Sequence, residues 1–78
     1  PNPAKDALNF SFHVENEGDA SLNLFDISGK EVKNIPFGSY QSGSYSKSVN
    51  IESLPAGVYF YDLIIGQSSF QGKIIVAR

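Results

Sequence analysis

The sequence predicts an all-β protein, a small antiparallel sandwich, and three observations predict it. Segments in which apolar and polar residues alternate recur along the 78 residues at spacings of about 8–12 residues, the rhythm of short strands in a sandwich. Clusters of Gly, Pro, Asn, Asp and Ser separate these segments and mark turns. No segment carries the 3.6-residue period of an amphipathic helix.

Pro1 to Asp6 reads as an entry segment, kept extended and out of any central ladder by Pro1 and Pro3. The first strand follows, with Leu8, Phe10, Phe12 and Val14 on the inner face and polar residues between them. Glu15 to Asp19 is a polar turn. Ala20, Leu22 and Leu24 are the inward residues of the second strand, which runs to Asp26. Ile27-Ser28-Gly29-Lys30 is a hairpin connection in which Gly29 supplies the left-handed residue that short loops need. Glu31 to Ile35 returns as a short third strand, expected to stop at Pro36.

Gly38 to Gly43 reads as a loop. A fourth strand places Tyr45, Lys47, Val49 and Ile51 on one side and Ser46, Ser48 and Asn50 on the other. The stretch Leu54 to Ile65 organises the rest of the chain. It opens on a turn, where Pro55 presets φ and Gly57 can take a positive φ. It continues as a strand whose faces are set by Asp62, which should point to water. Val58, Phe60 and Ile64 then share the wetter side, and Tyr59, Tyr61, Leu63 and Ile65 the core side. Gly two residues before a strand-initiating Tyr matches the tyrosine corner, so the Tyr59 phenol is expected to bond back to the turn. Gly66 to Ser69 makes a further turn. Phe70 to Ala77 is the last strand, with Phe70, Ile74 and Val76 expected inward.

Composition narrows function mainly by exclusion. The net charge of −2 argues against charge-driven binding to nucleic acid or anionic membrane. No apolar run approaches the ~20 residues needed to cross a bilayer as a helix. With no cysteine, a disulfide framework and a thiol metal site are excluded, and nothing points to a cofactor. One domain, residues 1–78, is expected, and the start at Pro1 together with a last strand running to Arg78 suggests the C-terminal piece of a longer secreted protein.

No catalytic constellation emerges, and the chain is not expected to be an enzyme. His13, the one histidine, sits at an outward strand position, where solvation explains it better than a triad does. Glu15, Glu17 and Asp19 lack the ligand spacing of a calcium loop. Asn9-Phe10-Ser11 matches a glycosylation pattern in mid-strand and carries little weight. Phe37, Tyr40 and Tyr45 could stack on a sugar if they formed an exposed patch. That is the basis of an alternative reading, an accessory Ig-like or carbohydrate-binding module of a secreted hydrolase.

Four segments taken together resemble the type IX secretion system C-terminal sorting domains (type A) of Bacteroidetes. Pro1-Asn2-Pro3-Ala4-Lys5-Asp6 is similar to the family's opening N-P-x-x-D segment. Leu24-Phe25-Asp26-Ile27-Ser28-Gly29-Lys30-Glu31-Val32 resembles its strand–D-x-x-G-K/R-x-V hairpin. Ile51-Glu52-Ser53-Leu54-Pro55-Ala56-Gly57-Val58-Tyr59 resembles its L-x-x-G-x-Y turn, and Lys73 to Arg78 its basic–aliphatic–V-x-K/R terminus. Each motif alone is weak; their order and spacing carry the resemblance. A neighbouring family, the flagellar hook-capping proteins, has a similar strand but usually a Trp-Asp-Gly segment before it, and this chain has no tryptophan.

The resemblance implies an immunoglobulin-like sandwich of six to seven strands acting as a non-enzymatic address. The partners it implies are the type IX translocon, a surface sortase-like protease, an N-terminal cargo domain and, after processing, anionic lipopolysaccharide on the cargo. The route it implies runs through the periplasm to the outer membrane, the cell surface or the medium. The recognition signal is carried onto Gly57, Tyr59, Gly72, Lys73, Ile74, Ile75, Val76 and Arg78. Ile74 and Val76 fit simple closure of the sandwich equally well, whereas Lys73 and Arg78 are expected to be unnecessary for packing. An edge strand could also support a homodimer.

Overall fold

The computed structural model describes residues 4–78; Pro1, Asn2 and Pro3, half of the entry segment, lie outside the described residues. Among the described residues six strands follow one another: β1 Ala7–Val14, β2 Gly18–Phe25, β3 Glu31–Tyr40, β4 Gly43–Asn50, β5 Gly57–Ile65 and β6 Ser68–Val76. They form two antiparallel sheets, β1-β4 and β3-β2-β5-β6. The protein is a small β-sandwich, as the alternation predicts.

Alternation fixes the core. Leu8, Phe10, Phe12 and Val14 of β1 are buried, and so are Ala20, Leu22 and Leu24 of β2. Val49, Tyr59, Leu63, Ile65, Ile74 and Val76 join them from β4, β5 and β6. Phe10 meets Tyr61 across the sheets edge to face, with ring centroids 5.1 Å apart. Each fully buried Val, Leu, Ile or Phe side chain contributes about 1.5–3 kcal/mol by leaving water.

The third strand differs from expectation. It does not stop at Pro36 but runs on to Tyr40, so the expected Gly38–Gly43 loop shrinks to Gln41 and Ser42. Two features permit this. β3 is an edge strand, with one side unpaired, where a residue lacking an N–H is tolerated. The register also slips, from Ala20 opposite Gly38 to Ser21 opposite Pro36, leaving Phe37 as the extra residue of a bulge. Phe37 is thereby turned into the core, stacked on Phe12 at 5.9 Å. The polar turn before β2 is likewise shorter than expected, since the strand begins at Gly18.

Phe70 is the other departure. It pairs with buried Leu63 and so has the inward parity, yet it is 53% exposed. Two strands cannot cover four. Phe70 lines an open cleft together with His13, Glu15 and Ile65.

Candidate functional site

The residues singled out near the C-terminus converge on the β5–β6 hairpin and the turn before it. Gly57 takes φ +155°, a value open to glycine and strained for other residues. Two residues on, the Tyr59 hydroxyl donates to the Pro55 carbonyl at 2.6 Å. The phenol pins the turn while its ring, 6% exposed, lies in the core: a tyrosine corner.

Gly72 sits opposite Tyr61 in the ladder. A β-carbon there would run into the Tyr61 ring and hydroxyl. The missing side chain is therefore a slot for an aromatic neighbour, and that ring is the one packed on Phe10. Ile74 and Val76 face inward at 3% and 2% exposure, so they close the sandwich.

Lys73 and Ile75 face the other way. On the outer face of the four-stranded sheet, Ile75 pairs with Val58, Phe60 pairs with Lys73, and Phe25 pairs with Phe60. Val58, Phe60 and Ile75 are all exposed, giving an apolar block with one lysine in it. A polar row borders the block: Asn23, Asp62 and Gln71 lie side by side, and the Gln71 amide donates to Asp62 Oδ1 at 2.8 Å. Phe25, Val58 and Phe60 were not among the residues picked out by sequence. The signal was nonetheless present, because Asp62 assigns the face to water and an aromatic recurring on that face is unexpected for a solvated strand.

Arg78 corrects a premise. Sequence reasoning treats it as unnecessary to packing, but its Nη2 donates to the Ile51 carbonyl at 2.6 Å and its Nε to the Leu54 carbonyl at 3.0 Å. Nη1 also lies 3.7 Å from Asp6 Oδ1. The reason is topological: β6 ends beside the turn that precedes β5, which brings the guanidinium within reach of the Ile51 and Leu54 carbonyls. Lys73 is exposed on the outer face of the four-stranded sheet.

The β2–β3 connection explains its own motif. Asp26 Oδ1 accepts from the Ser28 hydroxyl at 2.6 Å, the Ser28 N–H at 2.9 Å and the Lys30 N–H at 3.0 Å. Gly29 turns the chain at φ +87°. The Ser28 hydroxyl first, then the Lys30 N–H, hold the Asp26 carboxyl below the usual carboxylate range.

The other candidate chemistry is spread over the molecule. His13 Nδ1 lies 3.1 Å from Ser44 Oγ on the exposed face of the two-stranded sheet. Tyr40 and Tyr45 do not make an open sugar platform. They pack on each other and on Phe12, and their hydroxyls donate to the carbonyls of Phe37 and Gln41. The fold uses these rings to fill the end of the sandwich where β3 bulges.

Residues 1–77 match the family described as secretion system C-terminal sorting domain. None of the curated proteins and none of the solved structures matches the chain.

Proposed function

The chain belongs to the secretion system C-terminal sorting domain family, and from that membership we propose that it is an address that a type IX translocon reads to carry an attached cargo across the outer membrane. The coarser statement comes with the family itself: such a domain is a sorting signal for type IX secretion, and its protein is exported to the cell surface or released. The match over residues 1–77 is the observation that carries the reading.

Within it, the eight recognition candidates divide by geometry. Gly57, Tyr59, Gly72, Ile74, Val76 and Arg78 build the hairpin and its turn. Lys73 and Ile75 face outward, and together with Phe25, Val58 and Phe60 they form the surface that the translocon contacts. Two features support this. Lone exposed apolar residues are ordinary, but a contiguous group marks contact surfaces. The outer face of the β1-β4 sheet, by contrast, is lined by Asn9, Ser11, His13, Ser46 and Ser48, all exposed. On this reading the domain follows a cargo in a longer chain, and a surface sortase-like protease removes it before the cargo is joined to anionic lipopolysaccharide or released.

The test fuses a fluorescent protein, led by a Sec signal, to this domain in a bacterium with a type IX system. The expected result is translocon-dependent fluorescence outside the cell, with the Phe60→Ser/Ile75→Ser double variant folded but held in the periplasm. Periplasmic retention of the unaltered fusion, with the domain folded, overturns the address reading. Normal export of the double variant overturns the surface assigned to it.

A further inference from the structure

Three separate pieces of chain meet at one end of the sandwich in a closed circuit of hydrogen bonds. Ala4 forms a parallel bridge with Val76 at the edge of β6. Its N–H donates to the Ile75 carbonyl at 2.8 Å, and its carbonyl accepts from the Ala77 N–H at 2.8 Å. Two residues on, the Asp6 carbonyl accepts from the Ile51 N–H at 2.9 Å. The Ile51 carbonyl in turn accepts from Arg78 and from the Leu54 N–H, and the Asp6 carboxylate faces the Arg78 guanidinium. The path runs from Ala77 to Ala4, along to Asp6, across to Ile51 and back to Arg78.

We propose that this circuit is a clasp coupling the two ends of the domain, so that drawing the C-terminal residues away releases the entry segment Ala4–Asp6 as one unit with them. Ala4 is buried at 2% in the core with Ile51 and Val76, and the hydrogen bonds just described run among Ala4–Asp6, the Ile51–Leu54 turn and residues 75–78. The clasp meets the main sheet at the sheet's end, where Ile75 and Val76 pair with Val58 and Gly57, the first residues of β5, so its hydrogen bonds can open locally while the β2-β5 ladder stays closed. A partner that strips Arg78 from the Ile51 and Leu54 carbonyls removes one side of the circuit and loosens the other. Coupling is reciprocal, so tension on the entry segment also weakens the hold on Arg78.

The inference rests on the sorting reading for its biological consequence, namely that engagement of the C-terminal end exposes the segment through which a cargo in front would be connected. The coupling itself is measurable without any translocon, so its failure is distinguishable from failure of the address function.

Amide hydrogen exchange on the intact 78-residue chain reads the clasp at the Ala4, Ile51 and Ala77 amides and the frame at the amides of β2. In Arg78→Ala the three clasp amides are expected to exchange faster by one common factor of about tenfold or more, and to remain faster than the amides of β2, whose protection follows global stability. Ala4→Gly, altered at the opposite end, is expected to accelerate Ile51 and Ala77 by a common factor. Because Arg78→Ala also lowers global stability, Asp6→Asn, which removes only the ion pair, is the second variant: a common acceleration of the three amides with β2 unchanged supports the clasp, and independent responses overturn it. An Ala4 amide that keeps its original rate in Arg78→Ala, or three amides that respond independently, overturns it.

Discussion

The Arg78 guanidinium donates to the carbonyls of Ile51 and Leu54 at 2.6 Å and 3.0 Å, so the last side chain of the chain closes the turn that launches β5. A cation at the C-terminus of the motif thus has a structural use before any partner is considered. Arg78→Ala is expected to destabilise by about 1–3 kcal/mol, because charge-assisted bonds to part-buried carbonyls are lost. Lys73→Ala, at an exposed outer position, is expected to stay within about 0.5 kcal/mol. Urea denaturation of the two variants checks the contrast, and equal midpoints would remove Arg78 from the frame.

Tyr59→Phe keeps the ring in the core and deletes one bond, that to Pro55. The expected loss is about 1 kcal/mol, read as a lower melting temperature. An unchanged melting temperature would mean that the corner is held by ring packing alone.

Gly72→Ala pushes a methyl into the Tyr61 ring. The ring can swing, but only by giving up its edge contact with Phe10, so a loss of about 1–2 kcal/mol is expected. In a Tyr61→Leu background the same substitution should cost clearly less. A double-mutant cycle with no coupling would show that Gly72 serves something other than Tyr61.

Acid should unlock the β2–β3 turn. Asp26 titrates below its ordinary value because Ser28 and Lys30 bond its charged form, so the native state binds fewer protons there than the unfolded chain. That contribution to stability is full above the unfolded carboxylate range, near pH 4, and is lost as pH falls through the lower folded value. Asp26→Asn is expected to flatten this part of the stability–pH curve. Parallel curves for the two proteins between pH 5 and pH 2 would argue against it.

The sequence carried most of the frame because its signals are local. Leu8, Phe10, Phe12 and Val14 declare their face through period two, and Asp62 alone sorts β5 into a wet and a dry side. Gly57 and Tyr59 announce the corner by spacing. Pro36 misled because a local rule, that proline ends strands, gave way to the position of β3 at a sheet edge, which no local pattern reveals.

What the residues determined by themselves was therefore the strand set, the inward faces and the family motifs, since each depends on chemistry within a few positions. Tertiary structure alone decided three things. It left Phe70 uncovered, because two strands pack against four. It joined Val58, Phe60 and Ile75 into one outward apolar block, because ladder register brings distant residues side by side. It turned Arg78 from a presumed loose cation into a donor to the Ile51 and Leu54 carbonyls, because the chain's last residue ends beside a turn more than twenty positions earlier. Hydrogen-bond partners at that separation are fixed by topology, and topology is a property of the whole fold.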